Sequence, residues 1–351
     1  MNDLWEWVWE AVHEDETRRE WFFEWRRAMS LDESDPAGAV ALLDATIARA
    51  ERAGDSRWKL FLEHWKLQIL LNKARDFGAA LDCAARAAVE VRQPRFAAFP
   101  QRVCLHEDLI SAYHGLDPQG YAPLIQNALD YMQREIAPDQ ECAACHRGLC
   151  AEFFRSIEHP QAVEAATEYL AHADAQNADF HRAQAYLQLC YTLAVVQGAQ
   201  ARQQLRELAE IGQDLVIEVD YSEGLHEILM WRALAARWNG ETDAPRALRR
   251  AVESRARYGA AARPGYHFAG VMWHEADGNH EKALQMLDEE LAEIENRSEF
   301  WREATRRLKK CELLREMGLP FDEEAAKVRE VAGKLKNPAA VEEKLARLSG
   351  D

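Results

Sequence analysis

Apolar positions along this chain recur with a helical period. Amphipathic stretches of about 14 to 20 residues alternate with short breaks, whereas strand-like alternation and Asn-Gly hairpins between β-branched runs are nearly absent. The breaks contain Gly, Pro, Asp or Asn, as at Asp35-Pro36, Gly54-Asp55, Pro94, Asp117-Pro118, Pro138-Asp139, His159-Pro160, Gly240, Pro264-Gly265, Gly278-Asn279 and Gly318-Leu319-Pro320. Gly and Pro punctuate helices because neither continues one easily. Helix pairs are expected to begin near residues 16, 57, 101, 141, 180, 224, 265 and 301. That spacing of roughly 40 residues is one at which internal repetition signals stacked units. A lone helical hairpin cannot cover its own apolar face, so each needs its neighbours.

The side chains within the units carry a more specific pattern. A large residue, then Leu, a small residue and a large or aromatic one follow along a first helix in Trp231, Leu234, Ala235 and Trp238, with Ala247 on the second helix. His146, Leu149, Cys150 and Phe153 repeat it with Ala162, and Tyr186, Leu189, Cys190 and Leu193 repeat the first-helix half. Arg75-Asp76-Phe77-Gly78-Ala79-Ala80-Leu81 and Gly278-Asn279-His280-Glu281-Lys282-Ala283-Leu284 look like turns entering second helices. In these features the chain resembles the tetratricopeptide repeat (TPR) family, in a divergent form with long repeats. Two helices approach closely only where one offers a small side chain and bulky neighbours fill the grooves around it. The resemblance implies an all-α, right-handed α-solenoid of about seven to eight helical hairpins with capping helices at both ends.

Three segments are expected: Trp-rich N-terminal helices over 1–30, TPR-like repeats over 31–335, and a C-terminal capping helix over 336–351. The first segment carries Trp5, Trp7, Trp9, Trp21, Phe22, Phe23 and Trp25, with Asp3 and Glu6 placed as a capping box. These aromatics either pack on the first repeat or present a docking surface, for which Trp5, Trp9, Trp21 and Trp25 are the candidates.

Charge narrows the partners. A formal net charge of −17 disfavours nucleic acid and anionic membrane surfaces as whole-chain ligands. No apolar run of about 18 residues suggests a membrane span, and the N-terminus has no signal-peptide pattern. A cytoplasmic location with reduced thiols is therefore expected for the seven cysteines. Cys142-Ala143-Ala144-Cys145-His146 has the spacing of a c-type haem attachment site, and with Cys150 it also offers zinc-type ligands. Packing within a continuous helix accounts for the same residues, so no cofactor and no metal are expected. Nucleophile-elbow, phosphate-loop and His-Glu-x-x-His motifs are absent, which favours a non-enzymatic role. The arginines 246, 249, 250, 255, 257 and 263 form a basic stretch, either a solvated face or a local anion site.

In the TPR family, non-core positions of the first helices line a ligand groove. Carried over to the matched repeats, this implies groove positions at Glu107, Ser111, His114, Arg147, Arg155, Tyr191, Arg232 and Asn239. Arg147, Arg155 and Arg232 would make a cationic strip suited to an acidic peptide or a C-terminal carboxylate, which arginine grips with a planar two-point fork. The expected function is thus a non-enzymatic scaffold or adaptor for a protein or peptide. The alternatives are a peptide-responsive regulatory sensor and a metal-binding protein using the Cys142–Cys150 helix.

Overall fold

The computed structural model describes residues 4–32, 34–136, 142–258, 263–295 and 297–349, and all regular structure among them is helical. The proposed Asp3 capping box lies partly outside the described residues. The chain divides into two compact units, one of residues 1–138 with 296–302 and one of residues 139–295 with 303–351. The first contains α1 (Leu4–Glu14), α2 (Glu16–Leu31), α3 (Pro36–Arg52), α4 (Ser56–Ile69), α5 (Phe77–Val91), α6 (Cys104–Leu116) and α7 (Ala122–Glu135). The second contains α8 (Cys142–Ser156), α9 (Ala162–Ala175), α10 (Asp179–Gln197), α11 (Arg202–Glu218), α12 (Ser222–Trp238), α13 (Ala244–Tyr258), α14 (Pro264–Ala276) and α15 (His280–Ile294). It also takes most of α16 (Phe300–Glu316), with α17 (Asp322–Ala332) and α18 (Ala339–Ser349). First helices begin within a few residues of the expected starts, and sequential helices pack as hairpins.

The turns share one chemistry. Gly54, Gly240, Gly278 and Gly318 end helices with φ between 69° and 73°, and Arg75, Glu158, Asn177 and Asp220 take a left-handed φ at corresponding places. At Gly54 the amide donates to the Glu51 carbonyl while Asp55 N–H reaches the Ala50 carbonyl. The same doubled bond recurs after α9, α11, α12, α14 and α16. It satisfies carbonyls that a helix end leaves without partners. Asp15, Asp35, Asp55, Asp76 and Asn279 then cap the next helix by accepting backbone N–H bonds.

Packing in the first unit centres on Trp58 and Phe61 of α4. Trp7 and Trp21 lie 5.7 and 6.3 Å from Trp58, and Trp25 sits 5.6 Å from Phe61 and 5.3 Å from Trp65. Trp7, Trp21 and Trp25 therefore pack on the first repeat. Trp21 and Trp25, expected on an aromatic surface, are buried at 3% and 8% exposure because α4 supplies an aromatic floor for them. Trp5 and Trp9 remain exposed, together with Phe23.

In the second unit Trp231, Leu234, Ala235 and Cys190 are fully buried, as the repeat pattern implied. In α8 the close-packed small residue is Ala151 rather than Cys150, which is only half-buried. Ala151 meets Ala166, Leu189 and Leu193, so this helix is rotated by about one residue from the expected frame.

Candidate binding face

Five successive first helices of the second unit each contribute one side chain to a packed layer: Arg155 from α8, Tyr191 from α10, Trp231 from α12, Phe268 from α14 and Arg306 from α16. Tyr191 packs 5.6 Å from Trp231 and 5.0 Å from Phe268. The Arg155 guanidinium lies over the Tyr191 ring at 4.2 Å, and that of Arg306 over Phe268 at 5.4 Å. Aromatic faces attract guanidinium ions electrostatically, most strongly when water is partly excluded. Trp231 is wholly buried and forms the floor; Arg155, Tyr191 and Phe268 are half-buried.

The two arginines differ in what holds them. Arg306 donates to Glu290 at 2.7 Å and to the Tyr191 hydroxyl at 3.1 Å. Burial disfavours its charge, but Glu290 and Tyr191 outweigh that cost and raise its pKa. Glu290 is fully buried, so removing either partner would strand a charge. Arg155 has a looser ion pair, 3.8 Å from Glu152 on its own helix. Its stacked guanidinium is better placed to take a further acceptor.

A second polar group adjoins in the same helices. Glu227 accepts from the Trp231 indole N–H at 3.1 Å and from Arg263 at 2.8 Å, and Arg263 also donates to the Tyr221 hydroxyl. Burial works against the Arg263 cation, yet Tyr221 and Glu227 leave its pKa raised. Gly265 is required here, since a β-carbon on it would lie 2.2 Å from a Glu227 carboxylate oxygen. Tyr221 meets the exposed ring of Phe180 at 5.3 Å. Glu227 and Glu290 are thus both engaged, by arginines and the Trp231 indole.

The other groove candidates are dispersed. Arg147 reaches Glu168 on α9 at 3.8 Å, and Arg232 donates to Gln213 on α11 at 2.9 Å. They do not form one strip with Arg155, because Arg147 turns toward the second helix of its own hairpin and Arg232 toward that of the preceding one. Asn239 donates to the Ala235 and Arg202 carbonyls and closes a helix end. His114 is half-buried on α6 of the first unit. Of the six, Arg155 and Tyr191 come together. Trp231 was legible as a packing residue; Phe268, Arg306, Arg263 and Glu227 were missed. The repeat frame does not point to them, because the residues of this layer stand at different depths along their helices.

The cysteines do not converge. Cys145 Sγ lies 3.9 Å from His181 Nε2, while Cys150 Sγ lies 3.7 Å from His146 Nε2. Among the described residues no three or more His, Cys, Asp or Glu side chains are arranged to hold a metal ion. No described helix is long and apolar enough to cross a membrane.

No family model matches the chain, and no curated protein matches it in sequence. Among solved structures it is similar to a Rap protein in complex with competence and sporulation factor, with a TM-score of 0.58 and 14% identity over 94% of this chain and 99% of that one. At this identity the likeness is one of fold, and it places the chain among helical-repeat architectures.

Proposed function

We propose that this protein is a non-enzymatic binding module that takes an extended segment of a protein or peptide across the first helices of its second unit. The observation that carries the reading is the stacked layer of Arg155, Tyr191, Phe268 and Arg306 over a Trp231 floor. Aromatic and arginine side chains in a preformed, half-dry surface supply most of the energy in many interfaces. Arg306 is held fixed by Glu290 and Tyr191, so it positions the aromatics. Arg155 is the ligand-facing cation, and an acidic side chain or a C-terminal carboxylate is the group it would fork. The role is that of a scaffold or adaptor.

A second reading, a peptide-responsive regulatory sensor, is favoured by the fold it shares with a Rap protein solved with competence and sporulation factor. Affinity purification from the native cell, followed by titration of the labelled partner segment, tests the first reading. Arg155→Ala with Tyr191→Ala should weaken binding roughly a hundredfold. Arg147→Glu with Arg232→Glu should change it little, since those side chains have other partners. If the first pair leaves affinity intact in a variant with unchanged helical circular dichroism, the face is misassigned. Small-angle scattering with and without the segment separates the readings: compaction on binding supports a sensor, an unchanged profile a scaffold.

A further inference from the structure

We infer that the second unit carries a separate phosphate-type anion site in the cleft between α12 and α13. The cleft has a volume of about 180 Å³ and is lined by Leu229, Arg232, Asp243, Arg246, Ala247 and Arg250. Arg246 and Arg250 stand one helical turn apart on α13, so their side chains emerge on the same face. Arg232 reaches in from α12, fixed by its bond to Gln213 at 2.9 Å. Leu229 and Ala247 give an apolar base, and Leu229 is 8% exposed.

What marks this cleft is the convergence of three arginines, two of them exposed, on one recess. The chain has a net charge of −17, and its arginines are commonly engaged by carboxylates, as Arg18, Arg182, Arg206, Arg237, Arg255 and Arg307 are. Among the described residues, Arg246 and Arg250 form no ion pair with Asp243, the acidic residue that lines the cleft with them, and Arg232 donates to a neutral amide. Three guanidinium groups lining one small cleft repel each other, and like charges one turn apart destabilise a helix. With Asp243 as the sole acidic lining residue, the cleft has an excess of about two positive charges. A phosphate monoester carries about −1.5 to −2 at neutral pH and several acceptor oxygens, which matches that excess. A single carboxylate would leave it half neutralised. Planar arginine forks favour the same geometry.

The probes are inorganic phosphate, phenyl phosphate and acetate, titrated calorimetrically into the full chain at constant ionic strength. The expected result is saturable one-to-one binding of at least one phosphate probe, with acetate at least about tenfold weaker. Binding of phenyl phosphate assigns the site to phosphorylated ligands, and binding of inorganic phosphate alone assigns it to the free anion. Arg246→Gln with Arg250→Gln should weaken binding roughly a hundredfold, about tenfold for each charge-assisted hydrogen bond removed. The same variant should melt higher than the parent in phosphate-free buffer, because the mutual repulsion is gone. Arg246→Lys with Arg250→Lys, which keeps the charge and loses the fork, should bind with intermediate strength. Arg155→Ala should bind phosphate as the parent does, so failure of the binding face and failure of this site are distinguishable. Equal binding of acetate and phosphate, no saturable binding, or an unchanged affinity in the glutamine variant would overturn the assignment.

Discussion

Asp220 holds φ at 51° in the turn between α11 and α12, where Gly54, Gly240, Gly278 and Gly318 serve other turns. A β-carbon in this left-handed conformation crowds the backbone at a cost of about 1–2 kcal/mol, part of which glycine gives back as unfolded-state entropy. Asp220→Gly should therefore stabilise the protein by about 0.5–1 kcal/mol in urea unfolding, and a loss of stability would show that the aspartate has a compensating role. Glu63 carries a different tension. Its carboxylate is 6% exposed and one oxygen has no hydrogen-bond partner, while Lys59 stands 3.9 Å from the other. Burial pushes its pKa up to about 7. Since the folded pKa exceeds the unfolded one, the folded state binds the extra proton between about pH 4.5 and 7, and stability from this group is lost as pH rises through that window. Glu63→Gln should be close to neutral at pH 4 and stabilising at pH 8 by on the order of 2 kcal/mol. Equal effects at both pH values would contradict the assignment.

At the scale of elements, α4 organises the first unit. Trp58 is 1% exposed and touches rings from α1, α2 and its own helix. Trp58→Ala should cost about 3–5 kcal/mol, whereas Trp9→Ala, at a position 67% exposed, should change stability by less than about 0.5 kcal/mol. Paired chemical denaturation curves compare them, and a large loss at Trp9 would mean that its stacking on His13 matters to the fold. Helix boundaries were legible because Asp and Asn caps and glycine turns are local signals, set within four residues of chain. The small residue in α8 was not: Cys150 and Ala151 are both small neighbours, and only packing against Ala166 and Leu189 selects one of them. Arg155 joins the aromatic layer while Arg147, two turns earlier on the same helix, faces Glu168.

For the whole molecule the governing quantity is the acid excess. Against a net charge of −17, two places in the second unit present cations to a ligand: Arg155 over Tyr191, and the Arg232–Arg246–Arg250 cleft. The first is backed by aromatics, which suits a peptide segment; the second is a small recess lined by three arginines, which suits a compact dianion. The variants of the two binding tests belong to this scale, and each should leave the other site's affinity unchanged because they share no side chain. Both affinities should fall with added salt, the cleft's more steeply, since it collects more cations and has no aromatic layer.

Sequence alone was sufficient for the all-helical class, the repeat spacing, the turn positions and the direction of charge. These depend on periodicity, capping chemistry and composition, which are properties of short windows or of sums. Tertiary structure decided which of the N-terminal tryptophans are covered, which candidate arginines share a face, and which cations meet in one cleft. Those outcomes depend on the rotation of each helix about its axis, and a turn of one residue, about 100°, moves a side chain from one neighbour to another without altering the amphipathic pattern.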